Sequence, residues 1–338
     1  HMTAYATSRD GIHWEKPKLR LQDFNGSLEN NLVPVPGSVY TILGPQDDQL
    51  AGRRYMMLYL GRTNGREGIS FAFSPDGMRW TPADFNPVLE FHNDTGTSLL
   101  RDKKTGKWYL TCRPRVFTGL GSRRTAFSES EDLVHWSEPW NVFIPEHGDA
   151  PEIYSTGLFP YEGIHLATVH YYAHTQSQTM WAELWFSRDL KNWRRLQPGK
   201  QFLPLGHVGD FDSHMIGVGA PLRHKDELRF YYFGANARHN DANEKTAVGL
   251  AAMRVDGFVS LDSTDSRVLS EAVLTTMADP RRYEGETAAV LTRPFTFTGN
   301  RLLLNADTVG DGWLKAEIID ATTADPIEPS PTMPTLTC

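Results

Sequence analysis

One short phrase, written four times, limits what this chain can fold into more than any other feature. "TSRDGIHWEKP" (7–17) returns as "SPDGMRWTP" (74–82), "SESEDLVHWSEP" (128–139) and "SRDLKNWRRL" (187–196). The aromatic of each copy marks the repeat: Trp14, Trp80, Trp136 and Trp193 are spaced 66, 56 and 57 residues apart, and "MRVDGFVSL" places a fifth, weaker echo at Phe258. Each copy reads as the end of an apolar strand, a turn made by Ser, Asp and often Gly, and a Trp that opens the next strand. Between copies lie pairs of strand-like runs joined by polar turns. They are "SVYTILGP" with "RRYMMLYLGR", "GTSLL" with "KWYLTCRPR", "YSTGLFPY" with "IHLATVHYY", and "HMIGVGAPLRH" with "LRFYYFGA". Units of this length built from about four short strands predict a β-propeller.

The expected fold is therefore all-β: a five-bladed β-propeller over residues 3–265, a partial C-terminal β-sandwich over 266–325, and an unstructured tail over 326–338. Four blades are predicted complete, at roughly 36–88, 89–145, 149–203 and 210–262. The first phrase has no inner strands before it, so it predicts half a blade. Residues upstream, another segment or a second chain would complete it, and a homo-oligomer covering the open seam is one expected arrangement. The opening "HM" reads as exogenous, which leaves the native start and the compartment open.

Composition narrows the partner. With 34 Lys and Arg against 41 Asp and Glu, the net charge of −7 argues against nucleic acid or a membrane surface, both of which select clustered basic residues. No run of about 18 apolar residues reads as a membrane span. Two cysteines, Cys112 and Cys338, imply no disulfide framework. A small-molecule or oligosaccharide partner is expected.

The phrases, strands such as "GKWYLTCRPR" and the trailing sandwich pattern together resemble the five-bladed glycoside hydrolases of the invertase and arabinanase type, families 32, 43 and 68. They are most similar to a bacterial group of family-32-like proteins, with "YATSRDGIHWEKP" and "DGFVSL" carrying that likeness. The resemblance implies hydrolysis of glycosidic bonds, with fructo- or arabinofuranosides as the expected substrates and no cofactor required. It also implies that polar residues just before each innermost strand converge at one mouth. That rule selects His92, Asn93 and Asp94; His147, Asp149 and Glu152; His207, Asp210, Asp212 and His214; and, before the first complete blade, Asn30 and Asn31.

Glycoside hydrolysis uses two carboxyl groups flanking the scissile bond. The resemblance makes Glu152 the acid/base, with Asp149 as its rival, and makes Asp94 the residue that holds sugar hydroxyls. His92, Asn93, Asp212, His214 and Asn31 would contact substrate. The attacking Asp of the family pattern would lie before residue 1, so a non-catalytic carbohydrate-binding propeller is a further reading. The histidines suggest another: His147, Asp210, His170 and His214 as ligands of a divalent metal (Ca, Zn or Mn) in a hydrolase of phosphoesters or lactones. His174, His239 and Asp241 fall in the same regions. Arg113, Arg115, Arg123 and Arg124 are expected to pair with surface acids, with an anionic substrate as the alternative; Asp102 to serve a turn; and Tyr171, Tyr172, Trp181 and Trp185 to fill the core, with stacking on sugar rings as the alternative.

Overall fold

In the computed structural model the described residues are 2–44, 53–114, 123–260, 291–296, 301–306, 314–327 and 335–337. Every regular element among them is a strand, and no helix among them is long and apolar enough to cross a membrane. The chain divides into two units, His1–Met253 and Arg254–Cys338.

The first unit begins with β1 (Thr3–Ala4) paired antiparallel to β2 (Leu32–Val33), with a further bridge between Thr7 and Glu15. Two four-stranded antiparallel sheets follow in chain order, then an eight-stranded one whose two antiparallel halves, the third and fourth sheets below, join through one parallel pairing of Met180 with Met215. The first holds β3 (Ser38–Leu43), β4 (Tyr55–Thr63), β5 (Arg66–Ser74) and β6 (Thr81–Pro82). The second holds β7 (Leu99–Arg101), β8 (Trp108–Cys112), β9 (Thr125–Ser130) and β10 (Trp140–Phe143). The third holds β11 (Glu152–Tyr161), β12 (Ile164–Tyr172), β13 (Met180–Ser187) and β14 (Trp193–Arg195). In the fourth, β15 (Met215–Val218) and β16 (Leu222–His224) both pair with β17 (Glu227–Ala235), which also pairs with β18 (Thr246–Arg254).

The predicted strand pairs thus form at the predicted places, with two departures. The innermost strand of the fourth sheet is split around Gly219–Pro221, where proline has no N–H to donate to a ladder. The outer strand expected at the Phe258 echo is not formed among the described residues; a turn closed by the Gly257 N–H on the Arg254 carbonyl stands there instead. That echo lacks the Ser that the other four phrases place two residues before Asp, and so lacks their turn.

The four true phrases share one device. Ser8, Ser74, Ser130 and Ser187 each donate from Oγ to Oδ1 of the Asp two residues on, at 3.0–3.2 Å. That same oxygen accepts the backbone N–H groups two and three residues further along. The aspartate carboxyls lie below their ordinary range, Asp10 and Asp132 first through the hydrogen bonds of the His13 and His135 side chains and then these backbone bonds, Asp76 and Asp189 first through the backbone bonds. The next residue must be left-handed: Gly11 (φ 75°), Gly77 (φ 77°), Leu133 (φ 68°) and Leu190 (φ 62°). Glycine adopts this freely, whereas Leu133 and Leu190 are held there by burial of their side chains at 7% and 0% exposure. Indole N–H groups of Trp80, Trp136 and Trp193 then donate to the carbonyls of Gly77, Leu133 and Leu190. The repeat is a structural turn, as its composition suggested.

The phrase tryptophans also knit consecutive sheets. Trp136, from the second sheet, stacks on Phe71 of the first at 6.1 Å, and Trp193, from the third, meets Phe127 and Phe143 of the second at 6.0 and 5.1 Å. Trp14 stands in the same relation to the fourth sheet, edge-on to Tyr231 at 5.8 Å, while Tyr231 and Arg229 donate to the carbonyls of Gly11 and Asp10. The isolated first phrase is therefore held at its turn by β17, with Trp14 still 49% exposed, and Tyr231 takes the acceptor that an indole takes in the other copies. Apolar cores fill the first–second and second–third junctions, with Phe127 and Phe143 wholly buried; truncating either to Ala would cost about 3–5 kcal/mol.

Hydroxyl groups pin the inner strands to one another. Thr41 donates to the Thr97 carbonyl, Ser98 to that of Thr156, and Thr168 to that of Val218. His170 makes a second pin between the third and fourth sheets. Its Nε2 accepts the Val218 N–H at 2.8 Å, so Nδ1 carries the proton and donates to Ser155 Oγ at 2.9 Å. Wholly buried, the ring is pushed down to about 4.

In the second unit β19 (Arg301–Leu303) pairs parallel to β20 (Thr335–Thr337), and Ile319 bridges Pro326. The short strand at 335–337 falls within the tail expected over 326–338. Much of the sandwich expected over 266–325 lies outside the described residues.

Candidate functional site

The starts of β7 and β11 and the segments after β8, β12 and β17 bring one polar cluster together. Its centre is Glu152, the first residue of β11, with no side-chain exposure. Arg123 donates from a guanidinium nitrogen to Glu152 Oε2 at 2.5 Å, and His174 Nδ1 lies 3.2 Å from the same oxygen. Arg123 and His174 are 16% and 21% exposed, so they form the surface behind which the carboxylate sits. Tyr154 and Tyr172 wall the cluster, edge-on to each other at 5.5 Å; the Arg123 guanidinium lies over both rings, at 5.8 and 6.0 Å, and His174 stacks on Tyr172 at 5.1 Å.

A second guanidinium stands beneath. Arg113 is 2% exposed, donates to the carbonyls of Ile153 and Asp94 at 3.2 and 3.1 Å, and lies 5.5 Å from the Tyr154 ring. Burial, then the like charge of Arg123, push it down to about 10, while the charges of Asp94 and Glu152 act the other way. One buried cation thus feels Asp94 and Glu152, two of the carboxylates that the sequence selected. Asn93, wholly buried, accepts the Arg113 N–H through its side chain, and its own carbonyl accepts from Tyr40 of the first sheet. Burial pushes the Tyr40 hydroxyl up to about 12. Asp94 itself is exposed.

The remaining selected residues are placed elsewhere or otherwise engaged. Asp149 does not join Glu152; its carboxylate pairs with Arg195 on β14 and caps the turn by accepting the Glu146 N–H at 2.8 Å. His92 is exposed, with Nδ1 2.7 Å from Glu67. Asp212, 9% exposed, accepts from the Tyr232 hydroxyl at 2.7 Å, and that contact follows burial in pushing Tyr232 up to about 12. His214 Nε2 meets the Ser177 carbonyl at 3.1 Å. Asn31 donates to the Tyr5 carbonyl at 2.6 Å and Asn30 to those of Gln22 and Ser27, so both serve the first segment. Asp102 holds its predicted turn, accepting from Lys104 and Thr105.

Among the described residues no three His, Cys, Asp or Glu side chains gather as a metal site. The set His147, Asp210, His170 and His214 is not assembled: His170 spends both ring nitrogens on Ser155 and Val218, and His147 and Asp210 are exposed on separate loops. Two expectations for the arginines and aromatics also change. Arg113 and Arg123 belong to this cluster rather than to surface pairs, and Tyr172 is both core and wall. Arg115 lies outside the described residues. Tyr154 was not selected; its alternation within "EIYSTGLF" marks a strand but not which face meets the mouth.

The architecture is thus an all-β one of repeated sheets, with a carboxylate–guanidinium–imidazole cluster where their inner edges meet. No family model and no curated protein matches the chain. Solved structures similar to it include several described as glycoside hydrolases, alongside a deacetylase and a phosphorylase. One described as a glycoside hydrolase is 16% identical with a TM-score of 0.49, covering 72% of this chain and 76% of its own. A glycosyl hydrolase from Bacteroides ovatus is 16% identical with a TM-score of 0.49, covering 75% of each chain. The sucrose-6-phosphate hydrolase from Lactobacillus gasseri is 16% identical with a TM-score of 0.40, over 59% of this chain and 40% of that one. At these values the likeness assigns no substrate.

Proposed function

We propose that the chain is a glycosidase-like propeller that takes a carbohydrate at the mouth centred on Glu152. The observation that carries this reading is the cluster itself: a buried carboxylate fronted by Arg123 and His174, walled by Tyr154 and Tyr172, with the exposed Asp94 beside the same buried Arg113. Vicinal hydroxyls are matched by such a mixture of charged donors, acceptors and aromatic faces. In this reading Asp94 holds sugar hydroxyls; Glu152, protonated, gives its proton to the leaving glycosidic oxygen as that C–O bond breaks, and the water that adds at the anomeric carbon returns a proton to Glu152. Ligand oxygens that take over the donors of Arg123 would loosen its hold on Glu152. Fructo- and arabinofuranosides are the substrates to try first. The five-bladed form follows if the segment 2–33, seated on the fourth sheet, belongs to a fifth blade.

One observation favours a second reading, a carbohydrate-binding propeller without turnover. Glu152 shows no surface and is held by Arg123, as a purely structural ion pair would be. A panel of aryl glycosides, run with a direct sugar-binding titration, separates the two. Turnover lost in Glu152→Gln supports hydrolysis; binding without turnover of any member supports recognition alone.

A further inference from the structure

The loop joining β17 to β18 folds on itself and touches the mouth with its tip. Its stem is closed by two bonds between Asn236 and Lys245, the Asn236 N–H on the Lys245 carbonyl at 3.3 Å and the Lys245 N–H on Asn236 Oδ1 at 2.9 Å. Within it the Asp241 N–H donates to the Arg238 carbonyl, the Glu244 N–H to the Asp241 carbonyl, and the Asn243 N–H to Asp241 Oδ1. Residues 238–243 are all exposed, so no apolar burial holds the tip down. What does hold it is His239. Its Nε2 lies 2.9 Å from the Tyr154 hydroxyl on β11, and its ring stands edge-on to Tyr154 and Tyr172 at 5.5 and 6.5 Å.

We propose that residues 236–245 form a flap latched over the mouth by the His239–Tyr154 hydrogen bond, and that a hydroxylated ligand opens it by taking His239's place on Tyr154. The displacement half of this rests on the carbohydrate reading above; the latch half does not. Three facts converge on it. The loop has its own internal bonds, so it moves as a piece. The contacts described between its tip and the cluster are one hydrogen bond and two ring edges, a link that a competing hydroxyl can match. Tyr154 is also the residue whose ring carries both guanidiniums and whose carbonyl accepts from Thr95, so it stays put while the partner on its hydroxyl changes. His239 is thus a positioning residue supplied by the fourth sheet to a site built mainly on the second and third.

Arg238, next to the latch, gives the test. Limited trypsin digestion of the full chain, with cleavage after Arg238 quantified by mass spectrometry, is compared among wild type, His239→Ala, Tyr154→Phe and the double variant. One lost hydrogen bond of this kind changes an opening equilibrium by about three- to tenfold. Each single variant is therefore expected to be cleaved about three- to tenfold faster, the double variant no faster than the quicker single, with melting temperatures unchanged. Equal rates in all four proteins, or additive increases, would overturn the latch. In a second arm, millimolar short fructo- and arabino-oligosaccharides are added to wild type. Acceleration toward the variant rate supports displacement. An unchanged rate, alongside fast variants and measured sugar binding, overturns displacement and leaves the latch. Failure of the carbohydrate reading shows separately, as absence of both binding and turnover.

Discussion

Replacing Asp149 by Ala separates a structural carboxylate from a catalytic one. Asp149 and Arg195 are each only 12% exposed, and Arg195 holds the Tyr171 hydroxyl as well. Without Asp149, the guanidinium keeps that phenol and Glu183, whose carboxylate stands off at 3.8 Å. The Glu146 N–H also loses its acceptor, opening the turn that leads into β11. Removing one partner of a buried ion pair costs about 3–5 kcal/mol, and the residual contacts of Arg195 place this case near the lower end, about 3 kcal/mol. For a unit of this size that lowers the melting temperature by about 6–12 °C. Calorimetry or a fluorescence melt reads the first quantity, and turnover of the best substrate reads the second, which is expected to stay within about threefold of wild type. A melting temperature within about 2 °C of wild type, together with a hundredfold or greater loss of kcat, would refute the reasoning and return Asp149 to the mouth.

Three further outcomes follow from the same contacts. His170, ordinarily near 6.5 and held near 4 by burial, binds no proton in the folded state where the unfolded chain already does. Stability is full above about pH 6.5, falls as pH drops toward 4, and loses about 3 kcal/mol over that window. His165, lowered first by burial with Asp102 opposing, works in the same direction, so denaturant titrations of His170→Gln between pH 7 and 4.5 should show a flatter but not level profile. Leu190→Gly relieves a left-handed leucine by about 1 kcal/mol but removes a wholly buried side chain worth about 3 kcal/mol, for a net loss near 2 kcal/mol by chemical denaturation; a gain would show that the turn, not the core contact, dominates. Arg123→Met removes the guanidinium that donates to the wholly buried Glu152, and should lower stability by about 3 kcal/mol, measured the same way.

The repeat was legible because everything that makes it is local. Ser74 finds Asp76, Asp76 finds the amides of Met78 and Arg79, and Trp80 finds the Gly77 carbonyl, all within seven residues. Strand pairs such as β11 and β12 were legible for the same reason, through alternation and a two-residue turn at Glu162 and Gly163 in left-handed conformations. The echo at Phe258 misled because its Asp and Gly suggest the turn, while the Ser that organises it is absent. The site was half legible. Glu152, Asp94 and Asn93 fall where a polar run meets an inner strand, but the partners that define them are distant: Arg123 comes from 29 residues upstream and His239 from 85 residues beyond Tyr154. Nothing in "EHGDAPEIY" tells that Asp149 turns away to Arg195 while Glu152, three residues on, turns in. That choice is made by which cation packs beneath each carboxylate, and only the assembled sheets supply it.

The central claim, that Glu152 serves chemistry on a bound sugar, is tested most directly by comparing wild type with Glu152→Gln in turnover of aryl fructo- and arabinofuranosides and in binding of the corresponding free oligosaccharides. The account predicts measurable hydrolysis by wild type, a loss of about a hundredfold or more in kcat in the variant, and binding retained within about tenfold. Hydrolysis undiminished in Glu152→Gln would contradict it.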